Sequence, residues 1–388
     1  MINCTRLLCA KKGFYDEIRY EKGKPADTNR PIVVWNSTKS CNLGCVHCYF
    51  EAKAAQDSQE LTTKQAKAMI DDLAYFGAPV LLFSGGEPFM REDLFELGGY
   101  ARDKGLRTVI SSNGTLITKE TAKKIKETGF SYVGISLDGL EEVNDKFRKQ
   151  RGAFQKTIQG IRNCHSTGVR AGLRFTINKF NFQDVAGIFD LIEGEGIQRA
   201  CFYHLVYSGR GSAMIKDDLT HQESRDTMDL IFARTKALCS KNKDTEILTV
   251  DNHADGVYLY LGLKKEDRLK AIEALKLLKI NGGNKSGIGI AAVDNLGFVH
   301  ADQFWRHYSL GNVLKNKFSQ IWSDETNELL GSLRNRLGLL KGKCGRCHFQ
   351  DICAGNFRVR AETVYGDLWQ EDPACYLTEE EITSARED

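Results

Sequence analysis

Between residues 31 and 240, short β-branched and apolar runs alternate with longer charged stretches whose apolar residues recur every three or four positions. The runs PIVVWNST, PVLLFSGG, LRTVISSNG, YVGISLDG, RAGLRFTIN and QRACFYHLV each predict a strand with polar or glycine residues at its carboxyl end. Between the first two, LTTKQAKAMIDDLAYFG sets Ala66, Met69, Ile70, Leu73 and Phe76 at helical spacing, with threonines as N-caps and Gly77 as C-cap. Six strand–helix repeats imply an α/β fold around a parallel sheet that curls, as an open doubly wound sheet or as a barrel.

In such folds the site lies at the carboxyl ends of the strands. Three cysteines follow the first strand, SGGEP ends the second, SSNGT the third, SLDG the fourth, TINK the fifth and HLVYSGRG the sixth. One polar loop is ordinary solvated surface, but six at one end of a sheet point to a site. Residues 240–285 read as helical, with KKEDRLKAIEALKLLKI as the clearest periodic run. From about residue 286, the glycine-punctuated strands of GIGIAAVDNLGFVHADQF precede a cysteine-rich tail. The expected divisions are an N-terminal extension (1–30), the strand–helix region (31–240), a helical connection (241–285) and a cysteine-bearing domain (286–388).

Composition narrows the function class. The chain has 388 residues and a net charge of +3, too balanced to imply nucleic acid or a membrane surface as partner. No apolar run approaches 18 residues, and the N-terminus lacks a signal-peptide pattern, so a cytoplasmic protein is expected. Of twelve cysteines, seven fall in two tight groups, a usage typical of metal binding in a large cytosolic chain. Cys4, Cys9, Cys164, Cys201 and Cys239 are scattered and are expected to be small buried hydrophobes.

Cys41, Cys45 and Cys48 stand in CxxxCxxC spacing with no fourth cysteine nearby. A structural zinc site is closed by four ligands. Three thiolates instead suit a 4Fe–4S cubane in which they hold three irons and the fourth remains open. Zinc and unligated thiols are the alternatives. His47, beside Cys48, is expected to pack against whatever ligand reaches the open iron.

CxxxCxxC with an aromatic ring before its last cysteine, ending the first strand of a repeated β/α unit, resembles the cluster loop of the radical S-adenosylmethionine (SAM) enzymes. The resemblance implies a partial (β/α)6 TIM-like barrel. Gly85, Gly86 and Glu87 of GGEP are similar to the family's glycine-rich motif that meets the methionine amino group. Glycines let the backbone approach a ligand, and a glutamate is an anionic acceptor. Ser112 and Asn113 of SSNG, with Ser136 and Asp138 of SLDG, match positions that contact ribose and the methionine carboxylate in relatives. By this resemblance the open iron chelates SAM, and an electron from a flavodoxin- or ferredoxin-type donor cleaves it to a 5′-deoxyadenosyl radical that abstracts hydrogen from substrate.

In the tail, Cys344, Cys347 and Cys353 have CxxCx5C spacing, with Cys375 22 residues further on. Four thiolates can close a second site, as zinc or as a cluster. The spacing is similar to the SPASM or twitch auxiliary-cluster extension of many radical SAM enzymes. The full two-cluster form has further cysteines where Phe357 and Asp302 stand here, and a third before Gly297, where GIGIAAV has none. Their joint loss implies one auxiliary cluster, hence two 4Fe–4S clusters in the chain.

Arg174, Lys179, His204, Arg210, His253, Arg306 and His307 lie in segments at or beyond the strand ends. Arginine binds carboxylates bidentately, so such cations suit a ligand with several carboxylates, and a histidine can ligate a metal carried by it. Singly, each histidine fits better as a hydrogen-bonded core residue than as a ligand. These segments, with VVWNSTKSCNLGCVHCY, GNFRVRAE and GDLWQEDPACYLT, resemble the haem-forming branch of the radical SAM family. Within it they are similar above all to the enzymes that deacetylate 12,18-didecarboxysiroheme, and also to those that remove propionates in haem d1 formation. The implied substrate is an iron tetrapyrrole. A peptide-modifying member of the family, or an iron–sulfur electron carrier, is the competing class.

Overall fold

The computed structural model describes residues 1–21, 29–55, 57–241 and 243–386. Its strands are β1 (Ile2–Asn3), β2 (Ile32–Thr38), β3 (Val80–Gly85), β4 (Arg107–Ser112), β5 (Tyr132–Ser136), β6 (Ala171–Ile177), β7 (Arg199–His204), β8 (Glu246–Val250), β9 (Ile290–Val293), β10 (Phe298–His300) and β11 (Gly311–Asn312). They form one sheet in the order β1-β8-β7-β6-β5-β4-β3-β2-β9-β10-β11. From β8 through to β9 neighbours are parallel, and β1, β10 and β11 join antiparallel at the margins. The six strands expected from the sequence are β2 to β7, in sequential order, and the open sheet is the partial barrel expected.

Strand periodicity gives the sheet a packed face and a cavity-lining face. Val33 and Trp35 of β2, Leu81 and Phe83 of β3, and Val133 and Ile135 of β5 are fully buried on the helix-facing side. The alternate residues Val34, Leu82, Val109 and Tyr132 line a cavity inside the curl. The helix Thr63–Phe76 covers the outer face, opened by a Thr62–Gln65 capping box and closed by left-handed Gly77, as its sequence predicted.

Two expectations are corrected. The stretch 241–285 is not wholly helical, because EILTV forms β8, parallel to β7. All five of its residues are buried, so it shows no polar–apolar alternation and is hard to read as a strand. The N-terminal segment is part of the sheet: β1 pairs with β8, and Met1, Tyr15 and Arg19 line the cavity. Residues 22–28 of the 1–30 segment lie outside the described residues. Cys4 and Cys164 are buried as expected, and Cys201 lines the cavity. Cys9 and Cys239, expected to be lone hydrophobes, are instead paired as a disulfide between helix Cys4–Cys9 and helix His221–Ser240. No described helix is long and apolar enough to cross a membrane.

Candidate active site

The loop after β2 is tied at its neck, where Cys41 N donates to Lys53 O (2.8 Å) and Lys53 N to Lys39 O (3.0 Å). Gly86 N and Glu87 N donate to Thr38 O and Ser40 O, each at 2.7 Å. A Cβ on Gly85 or Gly86 would collide with those same backbone oxygens, and Gly85 has φ +127°. The two glycines therefore let the end of β3 press against the cysteine loop. Arg210 grips it from the other side: Nε donates to Cys45 O (2.9 Å), Nη1 to Ala52 O (3.0 Å), and its backbone N to Cys48 O (3.1 Å). Arg210, expected to meet substrate, clamps the loop and also lines the cavity beside it.

Cys41 and Cys45 are buried and Cys48 half-buried. Burial pushes the Cys41 thiol up to about 12, with Glu87, Cys45 and Cys48 adding to the effect, and it raises Cys45 as well. Such thiols become thiolates when a cation takes the charge, which fits an iron–sulfur cluster. Among the described residues no three His, Cys, Asp or Glu side chains converge tightly enough for a single metal ion. A cubane asks each thiolate for a separate iron. Asn113 Nδ2 lies 3.9 Å from Cys41 Sγ, and Arg148 Nη1 3.4 Å from Cys45 Sγ.

Arg148 was not singled out from the sequence. It forms an ion pair with Asp138 Oδ2, while Asp138 Oδ1 accepts from Thr176 N at 3.1 Å. Asp138 is fully buried and, through Arg148, supports the cysteine loop from beneath. His47 lies between: Nε2 is 3.5 Å from Asp138 Oδ2 and the ring stacks on Phe147 at 4.7 Å. Burial lowers its pKa to about 4, so the ring is neutral at pH 7.

Glu87 also turns inward. Its carboxylate accepts from Ser112 Oγ (2.9 Å), Asn113 N (2.8 Å) and Phe89 N (3.3 Å), and burial raises its pKa to about 7. It is fully buried and ties β3 to β4. Gly85, Gly86, Ser112, Asn113 and Ser136 do line the cavity, together with Cys41, Cys45, His47 and Cys48. That cavity, about 460 Å³, continues from the cysteine loop down the inside of the sheet.

Of the residues expected to meet substrate, Arg174, His204 and His253 line this cavity, as Arg210 does. Arg174 Nη1 donates to Ser111 Oγ at 2.8 Å. His204 Nε2 is 3.0 Å from Asp255 Oδ2, and Tyr376 donates to Asp255 Oδ1 at 2.7 Å. His253 is buried beside Phe357, and burial holds its pKa well below the usual histidine value. Lys179, Arg306 and His307 are elsewhere. Lys179 is exposed and donates to Lys216 O, Arg306 bridges Tyr49 O and Glu51, and His307 pairs with Glu362 at 2.7 Å. Surface ion pairs and local caps of this kind give no access to the cavity.

The tail cysteines are brought together. Cys344 lies on helix Gly342–Arg346, Cys347 caps that helix, Cys353 ends helix Gln350–Cys353, and Cys375 lies in the loop beyond Asp372. Burial and then the charges of Cys344, Cys375 and Cys347 push the Cys353 thiol well above its ordinary range. Arg358 Nη2 is 3.7 Å from Cys344 Sγ. At the positions where the two-cluster form has cysteines, Asp302 accepts from Phe304 N (2.8 Å) and Phe357 packs edge-on to Phe304 (5.7 Å).

A sequence profile of the Radical SAM superfamily matches residues 35–192. The Fe-coproporphyrin III synthase of Methanosarcina barkeri is 55% identical over 98% of this chain and 99% of its own length. The pre-heme d1 synthase of Dinoroseobacter shibae is 40% identical over 92% of this chain and 89% of its own. Among solved structures, Streptococcus suis SuiB bound to its precursor peptide SuiA matches with a TM-score of 0.71. That match covers 90% of this chain and 76% of SuiB at 18% identity, a likeness of fold alone. A three-cysteine loop at the mouth of a curled parallel sheet and full-length similarity to such relatives lead to one assignment: the chain belongs to the radical SAM superfamily.

Proposed function

We propose that this chain is a cytoplasmic enzyme of alternative haem biosynthesis that removes two acetate side chains from 12,18-didecarboxysiroheme to give Fe-coproporphyrin III. The observation that carries this reading is the 55% identity to an Fe-coproporphyrin III synthase, extending over 98% of the chain. Membership of the superfamily implies a 4Fe–4S cluster and SAM. Held at Cys41, Cys45 and Cys48, that pair supplies a one-electron cleavage yielding the 5′-deoxyadenosyl radical.

The chain contributes placement. Arg210, Gly85 and Gly86 fix the loop, and neutral His47 leans on Phe147 beside it. The cavity leads from the cysteines to Arg174 and His253. His253 is neutral at pH 7; its Nε2 lies 3.1 Å from the Met1 amine, which leaves the unpartnered Nδ1 as the nitrogen that would ligate the substrate iron. Transfer of a hydrogen atom from the ring carbon next to the acetate-bearing carbon to the deoxyadenosyl group would leave a ring radical. Scission would then restore the ring double bond and release a carboxymethyl radical. One electron from the proposed flavodoxin- or ferredoxin-type donor and one proton from solvent would convert that radical to acetate. Aromatisation drives the step, once on each of two rings.

We assign a second 4Fe–4S cluster to Cys344, Cys347, Cys353 and Cys375, and a flavodoxin or ferredoxin as electron donor. The test is anaerobic reconstitution with dithionite, SAM and didecarboxysiroheme, with products resolved by mass. Loss of two acetates with a new porphyrin Soret band is expected. Deoxyadenosine without that band would overturn the substrate while leaving the superfamily assignment intact.

A further inference from the structure

The lower part of the cavity holds hydrogen-bond donors that neither the cysteine loop nor the fold uses. Tyr15 Oη, Tyr132 Oη and Arg107 Nη1 are shielded from solvent and have no partner, and all three residues line the cavity that begins at the cysteine loop. Tyr15, 9% exposed, comes from the N-terminal segment. Cations and rings are interleaved around it. The Arg107 guanidinium lies 5.1 Å from the Tyr15 ring, and that of Arg199 lies 5.2 Å from both Tyr15 and Tyr132.

Part of this charge is matched. Arg19 pairs with Asp16 and Glu246, Arg199 with Glu246 at 3.3 Å, and Arg107 Nη2 with Glu17 at 3.3 Å. Arg174, above them, is not matched. It donates to the neutral Ser111 hydroxyl and stacks over Tyr203 at 4.8 Å, and among the described residues no carboxylate pairs with it. Buried donors are normally satisfied and buried cations paired. Unmet phenols, an unmet guanidinium nitrogen and an unpaired arginine on one cavity wall are what a bound anion would complete. Ordered water could fill the phenols' need but brings no charge to Arg174, on which the buried Asp251 of the same cavity acts without forming an ion pair.

We propose that the lower lumen is a carboxylate-binding well, in which Arg174, Arg107 and the hydroxyls of Tyr15 and Tyr132 take carboxylate side chains of the tetrapyrrole whose reacting ring lies at the cysteine loop. This rests on the tetrapyrrole reading above and deepens it. The span fits: β4 runs from Arg107 at the floor to Ser112 at the cysteine end, about 16 Å for five residue steps. A macrocycle edge placed at the loop thus directs its side chains downward, and the well selects for substituents that end in carboxylate. Arg174 and Tyr132 are positioning residues: they choose which edge of the ring faces the loop.

The experiment is equilibrium binding to the reconstituted protein under anaerobic conditions, followed by the Soret shift, with metal-free coproporphyrin III and its tetramethyl ester as probes. Arg174→Gln should weaken coproporphyrin binding by roughly tenfold or more, and Tyr132→Phe and Arg107→Gln by several-fold, as for lost hydrogen bonds to a charged group. With the ester, whose carboxylates are masked, all three variants should match the parent. Arg174→Lys should recover part of the loss. Unchanged coproporphyrin affinity in all variants overturns the well and leaves the tetrapyrrole reading standing. Equal weakening toward acid and ester means the residues only hold the wall in shape, which also overturns it. A parent protein that binds neither probe overturns both readings.

Discussion

Glu87 offers a direct test of the site's wiring. Its carboxyl is fully buried and accepts three hydrogen bonds, from Ser112, Asn113 and Phe89, yet burial outweighs them and raises its pKa from 4.5 to about 7. Between those two values the folded chain holds a proton that the unfolded chain has released. Folding stability from this group is therefore greatest below pH 4.5 and falls as pH rises through 7. The difference corresponds to about 3 kcal/mol. Glu87→Gln keeps an acceptor oxygen but cannot titrate, so its stability should lack this fall. The assay is urea unfolding of parent and variant at intervals from pH 4.5 to 8. The gap between their unfolding free energies should shift by about 3 kcal/mol in the variant's favour as pH rises. Parallel curves across that window would refute the account, because other titrating groups cancel in the comparison.

Asp372→Asn should cost about 3–5 kcal/mol in urea unfolding, because the carboxylate and its Arg360 partner, 2.8 Å away, are both fully buried; a loss under 1 kcal/mol would count against it. Gly86→Ala should reduce iron content by about one cubane, since the new methyl collides with Ser40 O and pushes the cysteine loop away. Iron and sulfide analysis at the parental level would mean the loop adjusts freely. Cys375→Ala should also lower iron by about one cubane while SAM cleavage to deoxyadenosine persists; full loss of cleavage would tie the tail cysteines to the first site.

What the sequence made legible was local. Six strands were readable because β-branched runs ended in glycine or polar residues, and both cysteine groups because cluster ligands cluster along the chain. Long-range pairing was not readable. Arg148 meets Cys45 across 103 residues and Arg210 meets it across 165, and nothing near either arginine marks it as a partner of the loop. Cys9 and Cys239 are 230 residues apart. Glu87 and Asp138 were recognised as important by their motifs, but a motif does not say which way a carboxylate turns. Glu87 bonds Ser112 and Asn113, and Asp138 pairs with Arg148, partners that neither motif names. His253 and Arg174 line the cavity, whereas Lys179, Arg306 and His307, equally cationic on paper, satisfy neighbours away from it.

The sheet's margins carry a consequence for how the chain is made. β1, at residues 2 and 3, pairs with β8 at Leu248 and Thr249, and β2 has β9 as one of its two neighbours. At about 5–20 residues added per second, the first strand waits roughly 12–50 s for its partner to leave the ribosome. During that wait the Cys41 loop is translated but its β9-side neighbour is not, so the sheet beneath it has an unpaired edge. Pairings this distant in sequence slow folding. A cluster inserted at Cys41, Cys45 and Cys48 before β9 is made would sit on a sheet still incomplete and open to aggregation. Slow translation near residue 250 would be expected to lower the yield of loaded protein more than that of total protein.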